Sequence, residues 1–206
     1  MSGRRIIKLV KLAIIKHSMD IGMKSLAGKL LIAIPNLSDP NFNRSVVLIT
    51  NHDEDGAMGV ILNRPAESTV SEVWDEISPD LDCESSESVH IGGPVDGPLI
   101  ALHTHMGWSD AEVFPGIYMA MSREALNEIV MQDDHRFKIF SGYSGWSSGQ
   151  LENEIEFGGW MTISADVEHV FDPPERLWRR TCEHVGHNIM LPNLSKLASK
   201  TDSSMN

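Results

Sequence analysis

An α/β sandwich, a single domain built on a mixed and largely antiparallel sheet, is the fold class this 206-residue sequence predicts. Three observations lead there. Short β-rich apolar runs recur along the chain, separated by turn residues. Between them lie a few amphipathic helical stretches, without the strict strand–helix alternation of a parallel sheet. No repeat or linker-like break divides the chain, and its length suits one substantial core.

In chain order, Lys29 to Ile34 and Val46 to Thr50 are apolar strands around the turn-forming Pro35-Asn36-Leu37-Ser38-Asp39-Pro40. Met58 to Leu62 follows a polar turn at His52–Gly56 and is ended by Pro65. Thr69 and Glu72 make a capping box for a first helix, whose Val70, Val73, Trp74 and Ile77 repeat at helical spacing. An acidic loop, residues 79–88, leads to strands at Val89–Gly92, Leu99–His105 and Ile117–Met121. Ser122 is the expected N-cap of a second helix, with Glu124 in its positive first turn and Ala125, Leu126, Ile129 and Val130 turned inward. A strand at Arg136–Ser141, a glycine-rich connection, a short helix from Gln150 to Phe157 and a strand at Trp160–Ile163 come next. Ser164 is read as the cap of a further helical turn. Asp172-Pro173-Pro174-Glu175 opens a last helix with Leu177, Trp178, Thr181, Cys182 and Val185 inside, stopped by Gly186. Three regions result: a basic extension over residues 1–22, a domain over 23–192, and a polar tail over 193–206 expected to be disordered.

Charge is spread unevenly. Arg4, Arg5, Lys8, Lys11 and Lys16 precede the first acidic residue, Asp20; residues 19–206 carry 12 basic against 29 acidic groups, a net of −17. Such a body repels phosphate backbones, so no direct nucleic-acid partner is expected. Arg176, Arg179 and Arg180 are read as a solvated helix surface among Glu175 and Glu183. At 100° per residue the five N-terminal cations fall within an arc of about 140°, opposite Ile6, Ile7, Leu9, Val10, Ala13 and Ile14. This basic amphipathic pattern allows weak membrane-surface contact through residues 4–16. The plainer reading makes it an upstream extension before a start at Met19 or Met23. No stretch approaches the length of a membrane span. Cys83 and Cys182 are too far apart in sequence for a disulfide framework. Cys83 is expected to be exposed and free in its acidic loop, which suits a reducing cytosol, and Cys182 to be a small buried hydrophobe.

Motifs that carry chemistry are mostly absent from the sequence. Gly142-Tyr143-Ser144-Gly145-Trp146 lacks the second glycine of a nucleophile elbow, so Ser144 reads as a turn hydroxyl. No phosphate-cradling glycine motif occurs. His103-Thr104-His105 puts two imidazoles on one strand face, read as a solvated or hydrogen-bonded pair and not as metal ligands. Met106, Met119, Met121, Met131, Met161 and Met190 read as core filling. No catalytic residue, metal or cofactor is expected, and the chain leans away from being an enzyme. What remains is a groove. Asp39, Phe42 and Arg44 lie in one loop, Asn63 and Arg64 at a strand end, Gly93 and Pro94 in a tight connection, and Tyr143, Trp146, Gln150 and Glu152 in the glycine-rich segment. Taken singly, each arginine reads first as a structural clamp on Asp39 or Glu152 and second as part of a groove. Aromatics with arginines at a rim are the composition of a protein-binding surface. The first reading is therefore a regulatory or interaction module with an unidentified partner. The alternative is a small-anion or metabolite binder or enzyme in the same cleft, with Arg44 or Arg64 on the anion. A transcriptional regulator is a further alternative, disfavoured by the charge.

Four segments carry a family resemblance: residues 28–35 with 39–46, Gly56 to Pro65, Gly92-Gly93-Pro94-Val95, and Gly142 to Glu152. In order and spacing they resemble the YqgE/AlgH family. The resemblance implies a bacterial cytoplasmic protein whose sheet folds into a pseudo-barrel with flanking helices. It implies a regulatory role through the branch named for its influence on alginate production. It supplies no catalytic residues.

Overall fold

A computed structural model describes residues 25–185. The expected basic helix over 4–16, the tail over 193–206, Met190 and the stop at Gly186 lie outside the described residues. Ten strands are present: β1 (Lys29–Ala33), β2 (Val46–Asp53), β3 (Gly56–Ile61), β4 (Pro65–Thr69), β5 (Ser88–Ile91), β6 (Val95–His103), β7 (Ala111–Phe114), β8 (Ile117–Ala120), β9 (Phe137–Ser147) and β10 (Trp160–Ser164). The helices are α1 (Val70–Ile77), α2 (Arg123–Val130), α3 (Gln150–Glu156), α4 (Val167–Phe171) and α5 (174–185).

The main path of the sheet runs β10-β1-β2-β3-β9-β6-β8-β7, and all its pairings are antiparallel. Off this path, β4 pairs with β5, and β5 runs parallel to β9, with His90 opposite Phe140 and Ile91 opposite Ser141. The long β9 organises the domain. Its second half pairs with β3, from Gly59 opposite Ser144 to Gly56 opposite Ser147, and β6 follows it from Phe137 to Tyr143. The sheet curls into a half-barrel, as a twisted sheet of this many strands tends to do.

Alternation along the strands explains the two-sided burial. Leu30, Ile32, Val46, Leu48, Ile100, Leu102 and Phe140 fill one inner core with Val170 of α4 and Leu177 and Val185 of α5. Their neighbours point the other way. Leu31, Val47, Ile49 and Ile61 pack against Leu151 of α3, and Ala101, Ala120 and Ile139 pack against Val70 and Trp74 of α1 and Leu126 and Ile129 of α2. Both faces of the sheet are covered, so these strands read as continuous apolar runs.

The capping box of α1 forms as expected, with the Thr69 hydroxyl accepting from Glu72 N and the Glu72 carboxylate accepting from Thr69 N. Several expectations are corrected. The glycine segment after Ser141 is not a connection but the second half of β9, because its glycines are needed where backbones cross. A Cβ on Gly93 would stand 2.3 Å from the Tyr143 carbonyl carbon and oxygen, and one on Gly92 would stand 2.3 Å from Gly142 O. Ser144 is therefore a buried strand residue, donating to Gly92 O at 3.1 Å, and not a turn hydroxyl. β4 and β7 were not expected. β4 begins at a proline and is largely exposed, and β7 has only four residues. Asp166, not Ser164, caps α4, because its carboxylate reaches His169 N at 2.9 Å. Cys83 is buried under α2, its thiol 3.9 Å from Val130 O, because the acidic loop folds back over the outer core. Cys182 is only half-buried; burial pushes its thiol up from the ordinary range. Met106 is exposed in a single 3-10 turn and Met131 stands just past α2, so neither fills the core.

Candidate functional site

The predicted groove residues divide between two clefts. The first is aromatic, about 320 Å³, and lined by Leu37, Asp39, Phe42, Pro94, Gly145, Trp146, Gln150, Glu154, Phe157, Gly159 and Trp160. The Asp39–Ser45 loop delivers Phe42 to its floor. Asp39 accepts from Asn41 N at 2.8 Å and Ser45 donates to Phe42 O at 2.9 Å, so the loop is closed at both ends. Phe42 stacks on Trp146 (centroids 5.9 Å, 25° between planes) and meets Trp160 edge-on at 5.3 Å. β9 places Trp146 opposite Ala57 of β3, and β10 supplies Trp160.

The Glu154 carboxylate holds this aromatic set together. One of its oxygens accepts both indole N–H groups, from Trp146 at 3.0 Å and Trp160 at 2.9 Å, and the other accepts from the Gln150 amide at 2.9 Å. Charged acceptors make the stronger hydrogen bonds, and helical spacing between Gln150 and Glu154 brings both onto one face of α3. The Gln150 oxygen in turn accepts from Ser147 N and its hydroxyl, each at 3.1 Å. Above this fixed floor Phe157 stands 89% exposed at the end of α3. Glu154, Trp160 and Phe157 were missing from the sequence-based groove. The i, i+4 spacing of Gln150 and Glu154 was the available signal for the first of them.

The second cleft carries the arginines. It measures about 600 Å³ and is lined by Asn43, Arg44, Asn63, Arg64, Pro174, Glu175, Arg176, Trp178 and Arg179. Arg44 is the only described non-glycine residue with positive φ, +53°. Asn63 imposes that conformation: its side-chain oxygen accepts from Val46 N at 2.8 Å while its amide donates to Arg44 O at 2.9 Å. The Arg44 guanidinium lies 5.6 Å above the Trp178 ring, whose indole N–H donates to Ala33 O at 2.8 Å. Arg64 donates to Asn43 O at 3.5 Å. Burial lowers its pKa from the ordinary value, with Asp39 opposing the shift from a distance. Arg176 and Arg179 face this cleft from α5, while Arg180 turns away to pair with Asp172. Arg176 and Arg179 are exposed, as read from the sequence, and they also line this cleft.

The remaining groove residues lie in neither cleft. Glu152 pairs with the buried His52, whose other ring nitrogen accepts from Leu26 N at 2.9 Å, so it clamps the end of β2 and no arginine. Gly93 and Tyr143 belong to the backbone crossing, with Tyr143 packed on the inner core.

The histidine pair is also corrected. β6 ends at His103, which is fully buried with both ring nitrogens unpartnered, while His105 stacks on Trp108 at 3.9 Å. Burial first, then His135 and His105, lower the His103 pKa to about 4. Burial first, then Lys138, lower that of His90 to about 4 as well. Burial likewise lowers the Lys138 pKa to about 8. Among the described residues no group of three or more His, Cys, Asp or Glu is placed to hold a metal ion, and no helix is long and apolar enough to cross a membrane.

A curled, largely antiparallel sheet with helices on both faces defines an α/β half-barrel protein. Comparison with known proteins gives its family. The AlgH-like family (DUF179) matches residues 30–190, and the chain belongs to it. A UPF0301 protein of Chlorobaculum tepidum is 41% identical over 169 residues, covering 77% of this chain and 86% of the relative. A UPF0301 protein of Xanthomonas campestris pv. campestris is 39% identical over 178 residues, covering 83% and 95%. Among solved structures, AlgH from Pseudomonas aeruginosa superposes with a TM-score of 0.65 at 29% identity, covering 86% of this chain and 97% of that one. A Corynebacterium diphtheriae protein follows at 0.61 and 26%, covering 80% and 89%.

Proposed function

We propose that the protein is a non-enzymatic interaction module of the cytoplasm with a regulatory role. Its aromatic cleft takes a short protein segment that presents an apolar side chain beside a Lys or Arg. The observation that supports this most is Phe157, an almost fully exposed aromatic at the mouth of a cleft whose Phe42, Trp146 and Trp160 are already fixed. A preorganised aromatic pocket loses little entropy on binding, and rigid aromatics dominate interface energetics. The carboxylates of Asp39 and Glu154 line the same cleft, and the chain is acidic overall, which favours a basic residue next to the apolar anchor.

A peptide library screened against the full chain tests this. Enriched peptides should pair an apolar residue with Lys or Arg and should perturb Trp146 and Trp160. Phe157→Ala, at an exposed position that leaves the fold intact, should weaken them at least about fivefold, roughly 1 kcal/mol. Peptides that bind equally well to this variant would refute the assignment of the cleft.

A further inference from the structure

The arginine cleft is a separate feature with a charge of its own. Four guanidiniums and one carboxylate, Glu175, line it in a chain whose formal net charge is −12. Among the described residues none of the four forms an ion pair with a carboxylate; the arginine ion pairs found there belong to Arg136 and Arg180. Two of the four are held by the fold itself. Arg44 is set by a left-handed backbone that costs an L-residue about 1–2 kcal/mol and persists because Asn63 ties both ends of the turn. Arg64 sits at the junction of β3 and β4, half-buried against Asn43. Pro174, Glu175 and Arg176 enter from the first turn of α5, where the helix carries partial positive charge. Four like charges held around a single carboxylate are kept for a ligand more readily than for stability, since each raises the electrostatic cost of the others.

We infer that this cleft binds a small ligand carrying two linked phosphate groups. The charge balance selects the number. The lining is net positive by about three, and a phosphate group carries about −1.5 to −2 near neutral pH, so one phosphate leaves the site unbalanced and two match it. Guanidinium forks suit phosphate oxygens, and Asn43 and Asn63 add neutral polar groups. The volume exceeds what a diphosphate alone fills, and Trp178 and Pro174 give an organic substituent an apolar wall. The acidic body disfavours a long phosphate polymer at the same place.

Calorimetry on the full chain with inorganic pyrophosphate, orthophosphate and a nucleoside diphosphate tests the inference. Pyrophosphate should bind saturably and orthophosphate at least about tenfold more weakly. The nucleoside diphosphate should bind at least as tightly as pyrophosphate; a clear gain over it identifies an organic diphosphate as the ligand, and equality a free one. The double variant Arg176→Ala with Arg179→Ala lies on an exposed helix face and should fold, yet lose pyrophosphate affinity at least about tenfold. Lys29→Ala, outside the cleft, should lose none. Absence of saturable binding at millimolar pyrophosphate, equal affinity for orthophosphate, or an unchanged affinity in the double variant would each overturn it.

Discussion

The two clefts differ in what satisfies their polar groups. In the aromatic cleft every indole N–H that lines it has an acceptor, and one carboxylate serves both. The walls close on themselves, and what remains for a partner is apolar surface beside the Asp39 and Glu154 carboxylates. In the arginine cleft the guanidiniums are left without carboxylate partners among the described residues, and one of them is carried on a strained residue. The first is a finished piece of packing; the second is an incomplete electrostatic site. Apolar shape is inherited from the core, whereas an uncompensated charge cluster needs the fold to hold it.

Acid should disturb the buried imidazoles most. His90 lies in β5 opposite Pro65, next to Arg64, and is buried neutral with a pKa lowered to about 4; His103, on β6, is lowered equally. Between pH 6.5 and 4 the unfolded chain binds more protons than the folded one, so stability is lost as pH falls through that window. The loss should reach about 2–3 kcal/mol for each imidazole near pH 4. Urea unfolding at pH 7, 5.5 and 4 measures it, and a flat profile would mean that neither imidazole is buried neutral.

Backbone approach is the next test, because the Gly93–Tyr143 crossing delivers Pro94 to the aromatic cleft. Gly93→Ala should cost about 3 kcal/mol through overlap with backbone that cannot yield. Gly149→Ala, at φ +72° with nothing within 4 Å, should cost only about 1 kcal/mol from backbone strain. Equal melting shifts for the two would remove the crossing as an organising feature.

Glu154→Gln keeps the shape of the carboxylate but removes its charge, so two indole N–H groups exchange a charged acceptor for a neutral one. A loss of about 1 kcal/mol is expected in thermal melts, with a changed tryptophan emission. The smallest effect belongs to Arg44→Gly. Relief of the left-handed strain offsets the added freedom of the unfolded chain, so stability should stay within about 1 kcal/mol of the parent. Pyrophosphate binding should weaken all the same. A large stability loss would make Arg44 a structural clamp and not part of a site.

Much of the fold was legible because local rules agree with the tertiary structure. The Thr69–Glu72 capping box, the apolar β1 and β2 and the helical spacing of α1 and α2 all form where expected. The glycine segment misled because glycine density was read as a turn signal, while its physical role is to let β9 pass close to the Gly92–Gly93 backbone. Sequence proximity also suggested one groove where there are two. Phe42 and Arg44 are two residues apart, but the positive φ at Arg44 sends the pair to different clefts, and a single sequence does not display that angle. Arg176 and Arg179 read in the sequence only as a solvated helix surface, since their cleft exists only when α5 docks beside Arg44 and Arg64.

The separation of the two clefts is best tested through the indole N–H resonances of the full chain in solution. Trp146 and Trp160 report on the aromatic cleft and Trp178 on the arginine cleft. Pyrophosphate should shift the Trp178 signal and leave the other two in place, and an apolar-basic peptide should do the reverse. A single titrant that moves all three signals with one midpoint would contradict the existence of two independent sites.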